Sequence, residues 1–321
     1  MEDLSASSNS RKSPGWEREV LEKLAFATLQ EQKAARRWKI FFRLLWIGLL
    51  ASFVWLLYRD VVPSSTGLQP HTALIEVRGT ISSDSEASAQ AIVSSLRLAF
   101  EDPGAQGVVL LINSPGGSPV QAGIIADEIH RLKALHNKPI HAVVEETCAS
   151  AAYYIASATD NIYVDKASIV GSIGVMMNGF GFTELMDKIG VERRLITAGE
   201  NKGFMDPFSP QSEAQLQHAQ AMLDDIHQQF IEVVRRGRGE RLQESAEVFS
   251  GLIWSGQRAV SMGLADEMAS LEQVARDVIQ AEEIIDYTQR ENVAQRLARR
   301  FGAGVGESAL LTLRDWGWVV R

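Results

Sequence analysis

Val108-Val109-Leu110-Leu111-Ile112-Asn113-Ser114-Pro115-Gly116-Gly117-Ser118 carries the fold in miniature. Five apolar, β-prone residues end in a polar turn with two adjacent glycines, and a helical pattern begins near Pro119. Outward from this stretch the same alternation repeats. Strand-like runs at Leu74 to Val77, His141 to Val144, Ile162 to Val164 and Arg193 to Ile196 are interleaved with helical patterns at Ser85 to Phe100, Val120 to Leu135, Ala149 to Ala158 and Thr183 to Ile189. Strand and helix in strict alternation predict an α/β domain built on a mostly parallel sheet. Gly116 and Gly117 lack a Cβ, so the turn can adopt φ > 0 and point backbone amides at a ligand; an ordinary strand-to-helix turn is the alternative reading of the same pair.

A second junction of this kind follows the run His141 to Val144, where Cys148-Ala149-Ser150-Ala151-Ala152-Tyr153-Tyr154 enters a helical pattern. Thirty-three positions separate Gly117 from Ser150. A hydroxyl at a helix N-terminus sits beside unpaired N–H groups that can hold a developing negative charge, and small neighbours admit a peptide backbone. The alternative is that Ser150 merely caps the helix. A nucleophilic serine needs a base, and the six histidines, His71, His130, His136, His141, His218 and His227, fit poorly, since none lies in the loop-rich stretch after this helix. Lys202 fits better. It lies in the loop Thr197 to Pro207, directly after the run Arg193 to Ile196, and a lysine acts as a base when burial disfavours its ammonium form. Ser172, in Val170-Gly171-Ser172-Ile173-Gly174-Val175, has a hydroxyl able to accept from that amine; read alone, it is a turn serine and Lys202 a solvated loop lysine. Cys148, the single cysteine, reads as a small buried packer beside the site.

Asn113-Ser114-Pro115-Gly116-Gly117, Ala149-Ser150-Ala151-Ala152-Tyr153-Tyr154, Gly171-Ser172-Ile173-Gly174-Val175 and Glu200-Asn201-Lys202-Gly203, in this order, resemble the signal peptide peptidase A family of serine peptidases. The likeness spans roughly Thr72 to Met268 and includes Gly251 to Gly256 and Gly263 to Asp266. It implies a Clp/crotonase-like fold, with Ser150 as nucleophile, Lys202 as general base and Ser172 orienting the lysine. It also implies an oxyanion hole from Gly117, in preference to Gly116, joined by the Ala151 N–H. Members often carry glycines after the nucleophile, and Ala151-Ala152 departs from that pattern, implying an altered pocket shape. The single catalytic copy implies the short form. There Ser150 and Lys202 come from one chain, and subunits assemble as a homo-oligomer around a chamber because one subunit cannot supply a complete array. Two relatives of the fold serve as controls. A Clp-type site would want a histidine about 25 residues beyond the serine, where this chain has Val175. A crotonase-type acyl-CoA enzyme would use carboxylates, for which Glu145 and Glu146 are the candidates. A catalytically idle membrane scaffold of the same fold is the third reading.

Composition bounds the rest. With 321 residues, 45% hydrophobic and a formal charge of −8, the chain is a substantial globular domain with appended segments, and its acidity gives no support for nucleic-acid binding. No paired metal-ligand motif and no phosphate loop are present in the sequence, so neither metal nor cofactor is expected. Leu44 to Tyr58 is uncharged and apolar; extended back to Ile40 with a snorkelling Arg43 it reaches bilayer-spanning length, a long buried helix being the alternative. Lys33, Arg36, Arg37, Lys39 and Arg43 precede the span and only Arg59 follows it closely, which predicts a cytoplasmic N-terminus. The expected organisation is a cytoplasmic segment at 1–39, a transmembrane helix at 40–58, a linker at 59–70, a peptidase domain at 71–285 and a C-terminal tail at 286–321. The resemblance adds a place and a substrate: a single-pass protein of the bacterial inner membrane, its catalytic domain periplasmic, acting on cleaved signal peptides and other apolar extended peptides. Trp16 to Arg37 reads as an amphipathic surface helix or a solvated one, and Gln211 to Arg238 as a long helix with Leu216, Met222, Ile226, Phe230 and Val233 or Val234 on one face.

Overall fold

The computed structural model describes residues 36–52 and 69–290. The chain divides into two units, Met1–Gly67 and Leu68–Arg321. Of the first unit, residues 36–52 form a helix, α1, with exposed apolar side chains all round it. Among the described residues no helix is long and apolar enough to cross a membrane. The last six residues of the span expected at 40–58, all but the last two residues of the helix expected at 16–37, and the tail from 291 lie outside the described residues.

The second unit opens with β1 (His71–Arg78), α2 (Ala89–Glu101) and β2 (Ala105–Ser114). Next come α3 (Pro119–His136), β3 (Ile140–Ala149) and α4 (Ala151–Ala156). Two short strands, β4 (Asn161–Val164) and β5 (Ile169–Gly171), lead to α5 (Thr183–Ile189) and the long α6 (Glu213–Arg238). The remainder is β6 (Ile253–Ser255), α7 (Gly256–Ser261), β7 (Glu267–Met268), α8 (Leu271–Gln273) and β8 (Ile284–Asp286). The strands join in the order β6-β5-β3-β2-β1-β8, with β4 between β3 and β7, and every pairing is parallel except β5 with β6. The α/β class and the mostly parallel sheet follow the sequence reading.

Because strand side chains alternate, β2 builds both layers of the core. Val108, Leu110 and Ile112 meet residues of α2, α3 and α4, while Val109 and Leu111 meet Val274 and Ile279 on the other face. The free side of β3 is shared between two partners: His141 to Val144 pair with β4, and Thr147 to Ala149 with β5. The change of partner falls at Glu145 and Glu146, so the sheet divides just before Ser150.

The strand expected at Arg193 to Ile196 does not form. Residues 191–200 are irregular and exposed, Ile196 at 96%. A strand needs a ladder partner, and the sheet edge beside β5 is already taken by β6. The buried face of α6 keeps Phe230 and Val234 of the expected one, adds Ala219 and Arg238, and leaves Leu216 exposed with Met222 and Ile226 half-buried. Arg238, 1% exposed, donates through both terminal nitrogens to Asp266 at 2.9 Å and through Nε to Gly263 O at 2.8 Å. Gly237 has no room for a side chain, since a Cβ there would stand 1.8 Å from Ser157 O. Helix α6 is therefore clamped against the residue that ends α4.

The sheet's two outer segments meet at its far end. His71 Nε2 lies 2.9 Å from the Tyr287 hydroxyl, which donates to Asp102 at 2.5 Å, and His71 Nδ1 lies 2.9 Å from Gln69 O. Between α2 and α3, Glu128 accepts from Arg131 Nε and Arg97 Nε, both at 2.7 Å. The hydrogen bond from Arg131, opposed by burial and reinforced by Arg97, holds its carboxyl down from 4.5 to about 2. A depressed carboxyl stabilises the fold above its unfolded value and ceases to do so as pH falls through the folded one. The thermal midpoint is accordingly expected to drop as pH falls from 4.5 toward about 2, with a shallower drop in Glu128→Gln, followed by circular dichroism across that range.

Candidate active site

Ser150 occupies the single position between β3 and α4, with φ 55° and ψ −124°, a region that non-glycine residues seldom enter. Its side chain caps no helix N–H and makes no hydrogen bond among the described residues, so the capping alternative fails. Backbone bonds fix it instead: Ser150 N donates to Gly171 O at 2.9 Å, and Tyr154 N donates to Ser150 O at 3.0 Å. The residue is half-buried and its hydroxyl uncommitted.

Against it lies the glycine turn. A Cβ built on Gly116, whose φ is 100°, would stand 2.6 Å from Ala149 O, 2.7 Å from Ser150 Cβ and 2.9 Å from Ala151 N. A Cβ on Gly117 would strike Ile81 O at 2.1 Å. That second contact is a miniature ladder, in which Ile81 N donates to Gly116 O at 2.9 Å and Ser118 N to Ile81 O at 2.8 Å. Among the described residues the N–H groups of Gly117 and Ala151 have no partner. Two free amides beside an uncommitted hydroxyl make an arrangement able to hold a tetrahedral oxyanion. Cys148 is fully buried beneath it, and burial pushes its thiol up, so the small-packer reading stands and a thiolate role is disfavoured.

Ser172 comes close through the backbone. It follows Gly171, which pairs with Ala149, and it adopts φ 52° with its N–H on Leu252 O at 2.8 Å. Lys202 makes no hydrogen bond to this group among the described residues. It is exposed in the turn 199–205, its N–H on Gly199 O at 3.1 Å, and its ammonium has no hydrogen bond or ion pair among the described residues. The structure thus gathers Ser150, Gly116, Gly117, Ala151 and Ser172, and leaves Lys202 in solvent. Glu145, the carboxylate of the acyl-CoA reading, is engaged by Arg78 at 2.7 Å and 3.0 Å, and Glu146 is exposed. His227, placed by sequence on a polar helix, proves to bond Ile173 O at 3.1 Å. No sequence signal marks that contact, because it joins residues 54 apart through the docking of α6.

Comparison with known proteins gives the following likenesses. Residues 133–284 match the model of peptidase family S49. A protein of Methanocaldococcus jannaschii designated a protease is 32% identical over 219 residues, 64% of this chain and 69% of that one. A protein of Enterococcus faecium designated the signal peptide peptidase SppA is 31% identical over 199 residues, 62% of this chain and 58% of that one. A Brucella melitensis protein carrying the name Na(+)/H(+) antiporter NhaA is 40% identical over 215 residues, 67% of this chain. The chain spans only 27% of that Brucella protein's length.

The fit of the glycine turn sets its own test. Gly116→Ala must displace the Ala149-Ser150-Ala151 backbone, so the rate at which a fluorophosphonate labels Ser150 is expected to fall about 100-fold, the scale of losing one oxyanion donor. Rapid-quench labelling beside a far-ultraviolet spectrum checks this, and labelling at the parent rate in folded Gly116→Ala would refute it.

Proposed function

The chain belongs to peptidase family S49, and on that premise we propose that it is a membrane-anchored serine endopeptidase working through a Ser150–Lys202 dyad and an acyl-enzyme. The observation that carries the reading is the strained, uncommitted Ser150 hydroxyl set against the free amides of Gly117 and Ala151. Ser150 Oγ attacks the scissile carbonyl and its proton passes to neutral Lys202. The oxyanion rests on the Gly117 and Ala151 amides while the C–N bond breaks, and Lys202 returns the proton to the departing amine. Water then attacks the ester, giving its proton to Lys202, and Ser150 regains a proton as the carboxylic acid leaves.

Lys202 has to be drawn out of water to act as a base. The segment 176–208 exposes Met176, Phe180 and Ile196 at 83%, 81% and 96%, apolar side chains that a neighbouring subunit would cover. This supports a homo-oligomer enclosing a chamber, in which assembly desolvates the lysine and Ser172 orients it. The exposed apolar side chains of α1 and the basic residues on its N-terminal side support anchoring in the bacterial inner membrane. The N-terminus would then be cytoplasmic and the catalytic domain periplasmic, acting on cleaved signal peptides and other apolar extended segments.

The test uses the full chain in detergent with an apolar fluorogenic peptide. Ser150→Ala is expected to lower hydrolysis by roughly 10⁴-fold or more, and Lys202→Ala by roughly 10²- to 10⁴-fold. Oligomers of unchanged size that turn over nothing would favour the scaffold, and full activity in Ser150→Ala would remove the nucleophile.

A further inference from the structure

We infer that His227 is a positioning residue for the Ser150 site, an inference that rests on the peptidase reading above. One face of α6 carries His227, Phe230, Val234 and Arg238, spaced so that they stack along the helix. Each of the last three is buried. Phe230 meets the Tyr154 ring at 5.3 Å on α4, and Arg238 is locked to Asp266. With Gly237 pressed on Ser157, this part of α6 cannot slide, and His227 lies one turn further along the same stripe.

There its Nε2 stands 3.1 Å from Ile173 O. A carbonyl only accepts, so Nε2 carries the proton, as it does in one neutral tautomer and in the cation alike. The contact is therefore a donated N–H to a fixed carbonyl. It completes a set of three. Gly171 O receives the Ser150 amide, Ser172 N binds Leu252 O, and Ile173 O receives His227. Three consecutive residues are pinned from the nucleophile's own junction, from the segment before β6 and from α6. Ser172 holds φ 52° between these pins, an unfavourable conformation that relaxes when one is removed. Relaxation shifts Gly171 O, and with it the Ser150 backbone and the Ser172 hydroxyl.

The experiment compares His227→Phe, His227→Gln and Glu128→Gln in the full chain. His227→Phe is expected to lower kcat and the fluorophosphonate labelling rate together, between about tenfold and 100-fold, the cost of a misplaced reacting group, with KM within about twofold. His227→Gln, which keeps an N–H in reach, should recover most of both rates. Glu128→Gln, which loosens α2 against α3, should lower the thermal midpoint and leave both rates in place. Hydrogen exchange at the Ser150 amide supplies a readout independent of turnover, and its protection should fall in His227→Phe and return in His227→Gln. Unchanged protection and rates in His227→Phe overturn the inference, as does a loss that His227→Gln fails to recover, or one confined to KM. If the parent shows no Ser150-dependent hydrolysis, the peptidase reading has failed, and the exchange result then reports separately whether His227 holds the Ser150 backbone.

Discussion

Backbone meeting backbone at the 116–117 turn is the constraint on which this site depends. The turn approaches Ala149, Ser150 and Ile81 closer than side chains at 116 and 117 allow, and among the described residues the amides of Gly117 and Ala151 have no partner. The approach in turn needs β3 to run on to Ala149, which it does by exchanging β4 for β5 as its partner at Glu145 and Glu146. A sheet that kept one partner along the whole of β3 would deliver no Gly171 carbonyl to the Ser150 amide. The unusual backbone angles of Ser150 are held by that hydrogen bond on one side and by the first turn of α4 on the other.

The second half of the unit treats its residues unequally. From Phe230 to Asp266 the chain is clamped by buried ion pairing and by a helix contact too tight for a methyl group. Between Met176 and Phe208 large apolar side chains face solvent instead. Burial of the Asp266 carboxyl alone would raise its proton affinity, but the hydrogen bonds from Arg238 and the Ile162 N–H hold it below the usual carboxylate range. That pair is bidentate and largely shielded, the geometry in which removing one partner costs about 3–5 kcal/mol. The anchored part fixes the surroundings of Ser150, and the exposed part carries Lys202.

How much could be read in advance depended on whether local chemistry or distant docking sets a residue's place. The central strands and their helices were legible because apolar runs and glycine turns act over a few residues, and the glycine turn and Ser150 were legible for the same reason. The strands Ile169–Gly171, Ile253–Ser255, Glu267–Met268 and Ile284–Asp286 are too short to show a period, and partners elsewhere in the chain define them. Arg193 to Ile196 has the composition of a strand, but composition cannot reveal that the neighbouring edge is occupied. His227 and Arg238 look like members of a polar helix, and only the docking of α6 gives one a carbonyl and the other a buried carboxylate. Lys202 stands out by its loop and by resemblance, and neither predicts that it lies exposed in a turn.

The pairing of β1 with β8 bears on how the protein is made. Thr72 pairs with Ile284, so 284 − 72 = 212 positions separate two residues that end side by side. During synthesis from the N-terminus β1 can find β2 early, but its other edge stays uncovered until nearly the whole domain has emerged, on the order of ten seconds or more at ribosomal rates. An uncovered parallel strand invites pairing with the wrong chain, and the hazard ends only when a three-residue strand and Tyr287 settle beside it. A chain stopped short of residue 284 would keep every residue gathered at the candidate site and still leave the ribosome with an adhesive edge.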